Sequence, residues 1–217
     1  MSLKNRFSNQ DLERIKAAVR ESESKISGEI VPVFVERSGH YIIANYRGAV
    51  ILASLVFALI VLVDRYYPPL AVYDPLVIFV LVALAGVFGG VIAHYVNPAK
   101  RMLLSQFHMD QSTKKKAESA FLEEEVFNTR HRTGIMLFVS FFEHEVIVMA
   151  DRGISKVVDQ KEWDRMVTKL TDQIKRGKLA DGMVEAIQRC GAILLEKGFQ
   201  KTNDDVNELR DDLRLED

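Results

Sequence analysis

Two apolar runs without formal charge constrain this chain more than any other feature: GAVILASLVFALIVLV at residues 48–63 and PLVIFVLVALAGVFGGVIAHYV at 75–96. Tyr41, Ile42, Ile43 and Tyr46 are available to lengthen the first run, which predicts helical spans over about 46–64 and 75–96. A helix needs about 20 mostly apolar residues to cross the hydrocarbon of a bilayer. Helices buried in a water-soluble core are ordinarily shorter and keep a polar stripe, and neither run has one. The segment between them, DRYYPPLAVYD, holds two prolines and three tyrosines and reads as a turn at an aromatic interface.

Basic residues fix the expected orientation. Arg37 and Arg47 lie at the entry to the first span, Lys100, Arg101 and Lys114 to Lys116 follow the second, and Arg65 alone lies in the connection. The positive-inside bias then places both chain ends and the domain flanking the spans in the cytoplasm, on a cell inner (plasma) membrane. The opening MSLKNRFSNQ has no apolar stretch of the kind an export signal needs. Small residues recur four apart (Ala49 and Ala53, Ser54 and Ala58, Ala85 and Gly89, Gly86 and Gly90). Such spacing lets helix backbones approach closely. The hairpin is therefore expected to pack on itself through Gly86, Gly89, Gly90 and Ala53, and the same faces suit helices of another membrane protein.

The formal net charge of −1 gives no electrostatic reason to expect nucleic acid as a partner. The single cysteine, Cys190, allows no disulfide within the chain and fits a buried, reduced position in a helix.

Outside the spans the pattern is α/β. Ser8 with Asp11 forms a helix-start pair ahead of Leu12, Ile15 and Val19, on a helix running to about Ser24, and Gly28 ends that stretch. EIVPVFVE, 29–36, reads as a buried strand in which Pro32 argues for an edge or a strand start. Pro98 starts one bent helix or two, with Met102, Leu103 and Phe107 at the membrane surface, then a stripe of Ala117, Ala120, Phe121, Glu124 and Phe127. IMLFVSFF, 135–142, and VIVMA, 146–150, joined by EHE, predict an antiparallel hairpin. Asp159 and Glu162 open a helix whose face is Trp163, Met166, Val167, Leu170 and Ile174, ending before Gly177. A last helix carries Met183, Val184, Ile187, Leu194 and Leu195 and stops at Gly198. Residues 200–217 hold three basic and seven acidic side chains and read as a solvated, mobile tail in which Val206, Leu209 and Leu213 suit a short recognition helix. The predicted organisation is thus a divided α/β domain, 1–40 and 97–199, with an inserted hairpin at 41–96 and a tail at 200–217. A hairpin, unlike a single span, returns the chain to the same side of the membrane so that both halves can share one sheet.

GEIVPVFV, RTGIMLFVS, HEVIVMADRGI, KEWDRMV, LADGMVEAI and LLEKGF together resemble the TPM domain family, also called the TPM phosphatase family. That family includes a plant thylakoid acid phosphatase linked to photosystem II repair. The resemblance covers the chain outside the hairpin and implies a helix/sheet/helix sandwich. For some members it also implies a calcium site and phosphatase activity. The spans after the first strand look like a bacterial membrane branch of the family. Members with the metal site tend to carry a VDD-type motif before the first helix and a DNG-type turn before the second strand. Here those places read RFSNQD and HRTG, with His131, Arg132 and Thr133 at the second. Calcium wants several oxygen ligands, and Arg132 would set positive charge beside it. No metal or cofactor is expected on that basis.

Three residues are candidate ligand contacts: Asp151 and Arg152, where the last apolar strand ends, and His131. Strand ends are where α/β sheets gather ligands. The alternative is a turn, with Gly153 at positive φ and Asp151 accepting local backbone hydrogen bonds. His40, His94, His131 and His144 show no ligand spacing, and Glu123 to Glu125 read as a solvated helix face. Two functions follow. One is a membrane-anchored interaction or accessory module for assembly or maintenance of membrane proteins, with the bilayer and another membrane protein as partners. The other is a phosphomonoester hydrolase at the cytoplasmic membrane surface.

Overall fold

The computed structural model describes residues 6–202 and 207–216. The chain forms two compact units, Met1–Ser38 with Asp110–Asp217, and Gly39–Met109.

In the first unit, α1 (Asn9–Glu23) begins on a reciprocal cap: the Ser8 hydroxyl accepts from Asp11 N, and the Asp11 carboxylate accepts from Ser8 N. A sheet follows from β1 (Glu29–Val35), β2 (Gly134–Ser140), β3 (Glu145–Ala150) and β4 (Arg214–Glu216), in the order β3-β2-β1-β4. β1 runs parallel to β2, with Glu29 opposite Gly134 and Val35 opposite Ser140, and parallel to β4, with Val33 opposite Arg214. β2 and β3 form the expected antiparallel hairpin, Ile135 opposite Ala150. Its connection turns at His144, φ 57°.

Pro32 sits in an inner strand, yet its position obeys the edge rule. Ile30 N is given to the Glu23 carboxylate and Glu36 N to Glu216 O, so the even-numbered amides of β1 point toward β4. β4 begins only opposite Val33, and at Pro32 there is no ladder bond to lose.

On one face of the sheet Ile30, Phe34, Ile135, Leu137 and Val139 cluster with Ile15 and Val19 of α1, Trp163 and Met166 of α7 (Gln160–Lys175), and Ile187, Cys190 and Leu194 of α8 (Leu179–Glu196). On the other face Val31, Val33, Val35, Met136 and Phe138 meet Ala117 and Ala120 of α5 (Gln106–Glu123) and Val126. The residues of β1 and β2 are buried throughout, and those of the edge strand β3 are half-buried. At the far end of β1 and β2, Ser38 N donates to the Glu143 carboxylate at 2.9 Å and Ser38 Oγ to Ser140 Oγ at 2.8 Å.

The charged stretch after residue 200 is not simply solvated. Arg214 is buried and pairs with Glu124 at 2.8 Å, and Leu213 and Leu215 pack on the core beside α1. Glu124 therefore departs from the solvated face its neighbours suggest. Val206 of the expected recognition helix lies outside the described residues, and Leu209 to Leu213 are not helical.

In the second unit α2 (Ile42–Tyr66) and α3 (Pro75–Tyr95) are joined through a 3-10 turn at Pro68–Leu70 and followed by α4 (Asn97–Met102). The Asp74 carboxylate caps α3, accepting from Leu76 N at 2.8 Å. α4 and α5 are separate helices. α2 and α3 are long and apolar enough to cross a membrane, and only 6% and 11% of their most apolar stretches are buried.

Candidate functional site

The corner after β3 is built from two loops that the hairpin register brings together. Asp151 N donates to Gly134 O at 2.9 Å, which places Asp151 as the cap of the short helix α6 (Arg152–Ser155). Its Oδ1 accepts from Arg152 N at 2.7 Å, and its carbonyl accepts from Ile154 N and Ser155 N. Its other oxygen, Oδ2, lies 2.9 Å from Arg132 Nε, an ion pair without the alignment of a hydrogen bond. Arg132 also lies over the Phe127 ring, at 5.7 Å from its centroid, and holds a positive φ of 58°. Asp151 is 5% exposed, so this carboxylate is committed to the corner itself.

Gly153 has a different reason from the one its position in a turn suggests. Its φ is not in the left-handed region. A Cβ there would stand 2.6 Å from Arg132 O and 2.9 Å from His131 O, and Gly153 N donates to Arg132 O at 3.0 Å. The glycine is required by close approach of two backbones. Arg152 is exposed on the first turn of α6. Asp151 and the backbone of 131–132 are thus brought together, while His131 also lines a separate cleft.

That cleft, about 280 Å³, lies between the end of α1, the start of β1, the loop before β2, and residues 201 and 207–211. Glu23 is 7% exposed; its Oε1 accepts from Ile30 N at 2.8 Å, and its buried Oε2 has no partner among the described residues. Burial pushes this carboxyl up to about 8, with the nearby charges of Glu29 and Asp211 adding and the Ile30 hydrogen bond and Lys201 opposing. Burial likewise raises Glu29, although its carboxylate accepts from Glu208 N at 3.2 Å and Leu209 N at 3.4 Å. For Asp211, burial works upward but is outweighed by hydrogen bonds from Arg20 and Asn207, both at 2.6 Å, which hold it below the usual carboxylate range. Lys201 Nζ donates to the Glu23 carbonyl at 3.0 Å. Chemically, the cleft offers one carboxyl able to hold or release a proton near neutrality, beside acids already spoken for.

Glu23 and Glu29 were not among the residues singled out from sequence. The signal for Glu23 was present: it continues the spacing of Ile15 and Val19, an acid on an apolar helix face. Among the described residues no three His, Cys, Asp or Glu side chains are grouped to hold a metal ion.

Along the helix pair of the second unit, Gly86 faces Ala53, Gly90 faces Ala49, and Gly48 meets Gly89. A Cβ on Gly48 would lie 2.7 Å from Gly89 O, so these backbones touch.

Residues 103–193 match the family model of the TPM domain. No curated protein matches the chain. The fold is similar to the NMR structure of the BA42 protein from the psychrophilic bacterium Bizionia argentinensis sp. nov., with a TM-score of 0.57 at 17% identity over 96% of this chain and 94% of that one. At that identity the likeness concerns the fold alone. Residues 103–193 of this chain are thus similar to the TPM domain family.

Proposed function

We propose that this protein is a membrane-anchored TPM-domain module, a helix/sheet/helix sandwich on a transmembrane hairpin, that assists the assembly or maintenance of other membrane proteins from the cytoplasmic face of a cell inner membrane. The observation that carries this is the pair of apolar helices, whose outward side chains, such as Leu55, Leu62, Phe79 and Phe88, are more than half exposed. Each such side chain left in water forgoes about 1.5–3 kcal/mol, so a bilayer or partner helices must cover them. The basic residues on both flanks support the cytoplasmic side. The commitment of Asp151 to Arg132 supports a non-catalytic corner, since a carboxylate that caps a helix and pairs with its own chain is not offered to substrate.

The hydrolase reading draws on a different feature, the proton-bearing Glu23 carboxyl in its cleft, which is the kind of group that protonates a leaving oxygen. Hydrolysis of a generic phosphomonoester by the detergent-purified chain, with and without calcium, separates the two. The accessory role predicts no turnover in either condition. Turnover that disappears in Asp151→Ala or Glu23→Gln would overturn it.

A further inference from the structure

We propose that the cleft at the end of α1 is a binding site for a primary ammonium group, held by the Glu23 carboxylate. The occupant is an alkylamine or the lysine side chain of a partner protein. Independent of the accessory role, the inference rests on three observations. First, Glu23 is more than nine-tenths buried, lines the cleft, and has one oxygen, Oε2, without a partner among the described residues. A buried carboxyl oxygen without a hydrogen-bond partner is costly, and once the carboxyl gives up its proton a donor arriving there gains what the folded chain leaves unsatisfied. Second, the walls are acidic: Glu23, Glu29, Glu208 and Asp211 outnumber Arg20 and Lys201, and both cations are engaged, Arg20 with Asp211 and Lys201 with the Glu23 carbonyl. A cationic group is favoured there and an anion is not. Third, Glu23 Oε1 is already held by Ile30 N, so one oxygen remains. A guanidinium gains most from a two-pronged carboxylate, whereas an ammonium is a compact point charge that one oxygen satisfies. The volume of about 280 Å³ suits a side-chain head rather than a larger ligand.

Occupancy must displace the proton that burial keeps on Glu23, a group pushed up to about 8. Binding at pH 7 is therefore expected to release most of one proton. The test is calorimetric titration of the full chain in detergent with propylammonium, with an N-acetylated, C-amidated Gly-Lys-Gly peptide, and with propylguanidinium, in two buffers of different ionisation enthalpy. The expected result is binding of propylammonium, or of the lysine peptide, with proton release, and weaker binding of propylguanidinium. Binding of both ammonium probes assigns the site to the group itself, and binding of the peptide alone assigns it to a partner's lysine. Glu23→Gln keeps the acceptor for Ile30 N and should lower affinity at least tenfold and abolish the release. If that variant does not fold, the carboxyl carbon resonance of Glu23 in the unsubstituted protein supplies the readout, moving from the acid to the carboxylate position on binding at pH 7. Failure of both ammonium probes to bind, binding without proton release, equal affinity in Glu23→Gln, or an unmoved Glu23 resonance would each overturn the proposal.

Discussion

Glu23 makes the stability of the folded domain depend on pH. Its folded-state value of about 8 stands above the ordinary 4.5, so between those values the native chain keeps a proton that the unfolded chain gives up. Stability is therefore full below about 4.5 and falls as pH rises through the window toward 8. Glu29, raised in the same direction, steepens the same slope. Denaturant unfolding in detergent at pH 5 and pH 8.5 is expected to show a loss on the order of a few kcal/mol in the natural chain. Glu23→Gln should lose markedly less, because it carries no titrating group there. An equal loss in both proteins would show that Glu23 is not the source. At this scale the sequence revealed what is local: Asp151 as a backbone acceptor follows from an acid just ahead of a glycine turn. It did not reveal Arg132 as the partner, since that contact exists only once β2 and β3 pair in register.

Among the elements, β4 is the one whose removal is most informative. Three residues, Arg-Leu-Glu, have weak strand propensity, and in an acidic segment they gave no strand signal. They are held by context: the open edge of β1 beyond Pro32, the Glu36 N to Glu216 O bond at 2.9 Å, and the pair of Arg214 with Glu124 just past the end of α5. Ending the chain after Asp212 is expected to destabilise the domain by about 1–3 kcal/mol. Faster hydrogen exchange should appear at Phe34 and Glu36 while the β2–β3 amides stay protected. Unchanged exchange at Glu36 would mean that β4 does not protect the edge. The long elements were legible for the opposite reason. α1, α7 and α8 announce themselves by caps and apolar stripes, and the hairpin by two continuous apolar strands, since each of these signals repeats within its own segment.

For the whole molecule, the first and second strands of one sheet are separated in sequence by the entire second unit. A parallel pair such as β1 and β2 always needs a crossover, and here α5 supplies the helix that covers the sheet within it. The two-helix insertion uses the same connection. If α2 and α3 span a bilayer, their even number is what allows Glu29–Val35 and Gly134–Ser140 to pair on one side. The two long apolar helices were legible because nothing in residues 48–63 or 75–96 offers water a polar face. The cleft was not, because its acids come from α1, β1 and the chain beyond residue 207 and share a wall only after folding. Alkaline carbonate extraction of lysed cells tests most directly the proposed placement of α2 and α3 in lipid. The full chain should remain in the membrane pellet and leave it only with detergent. Recovery in the aqueous supernatant without detergent would contradict it.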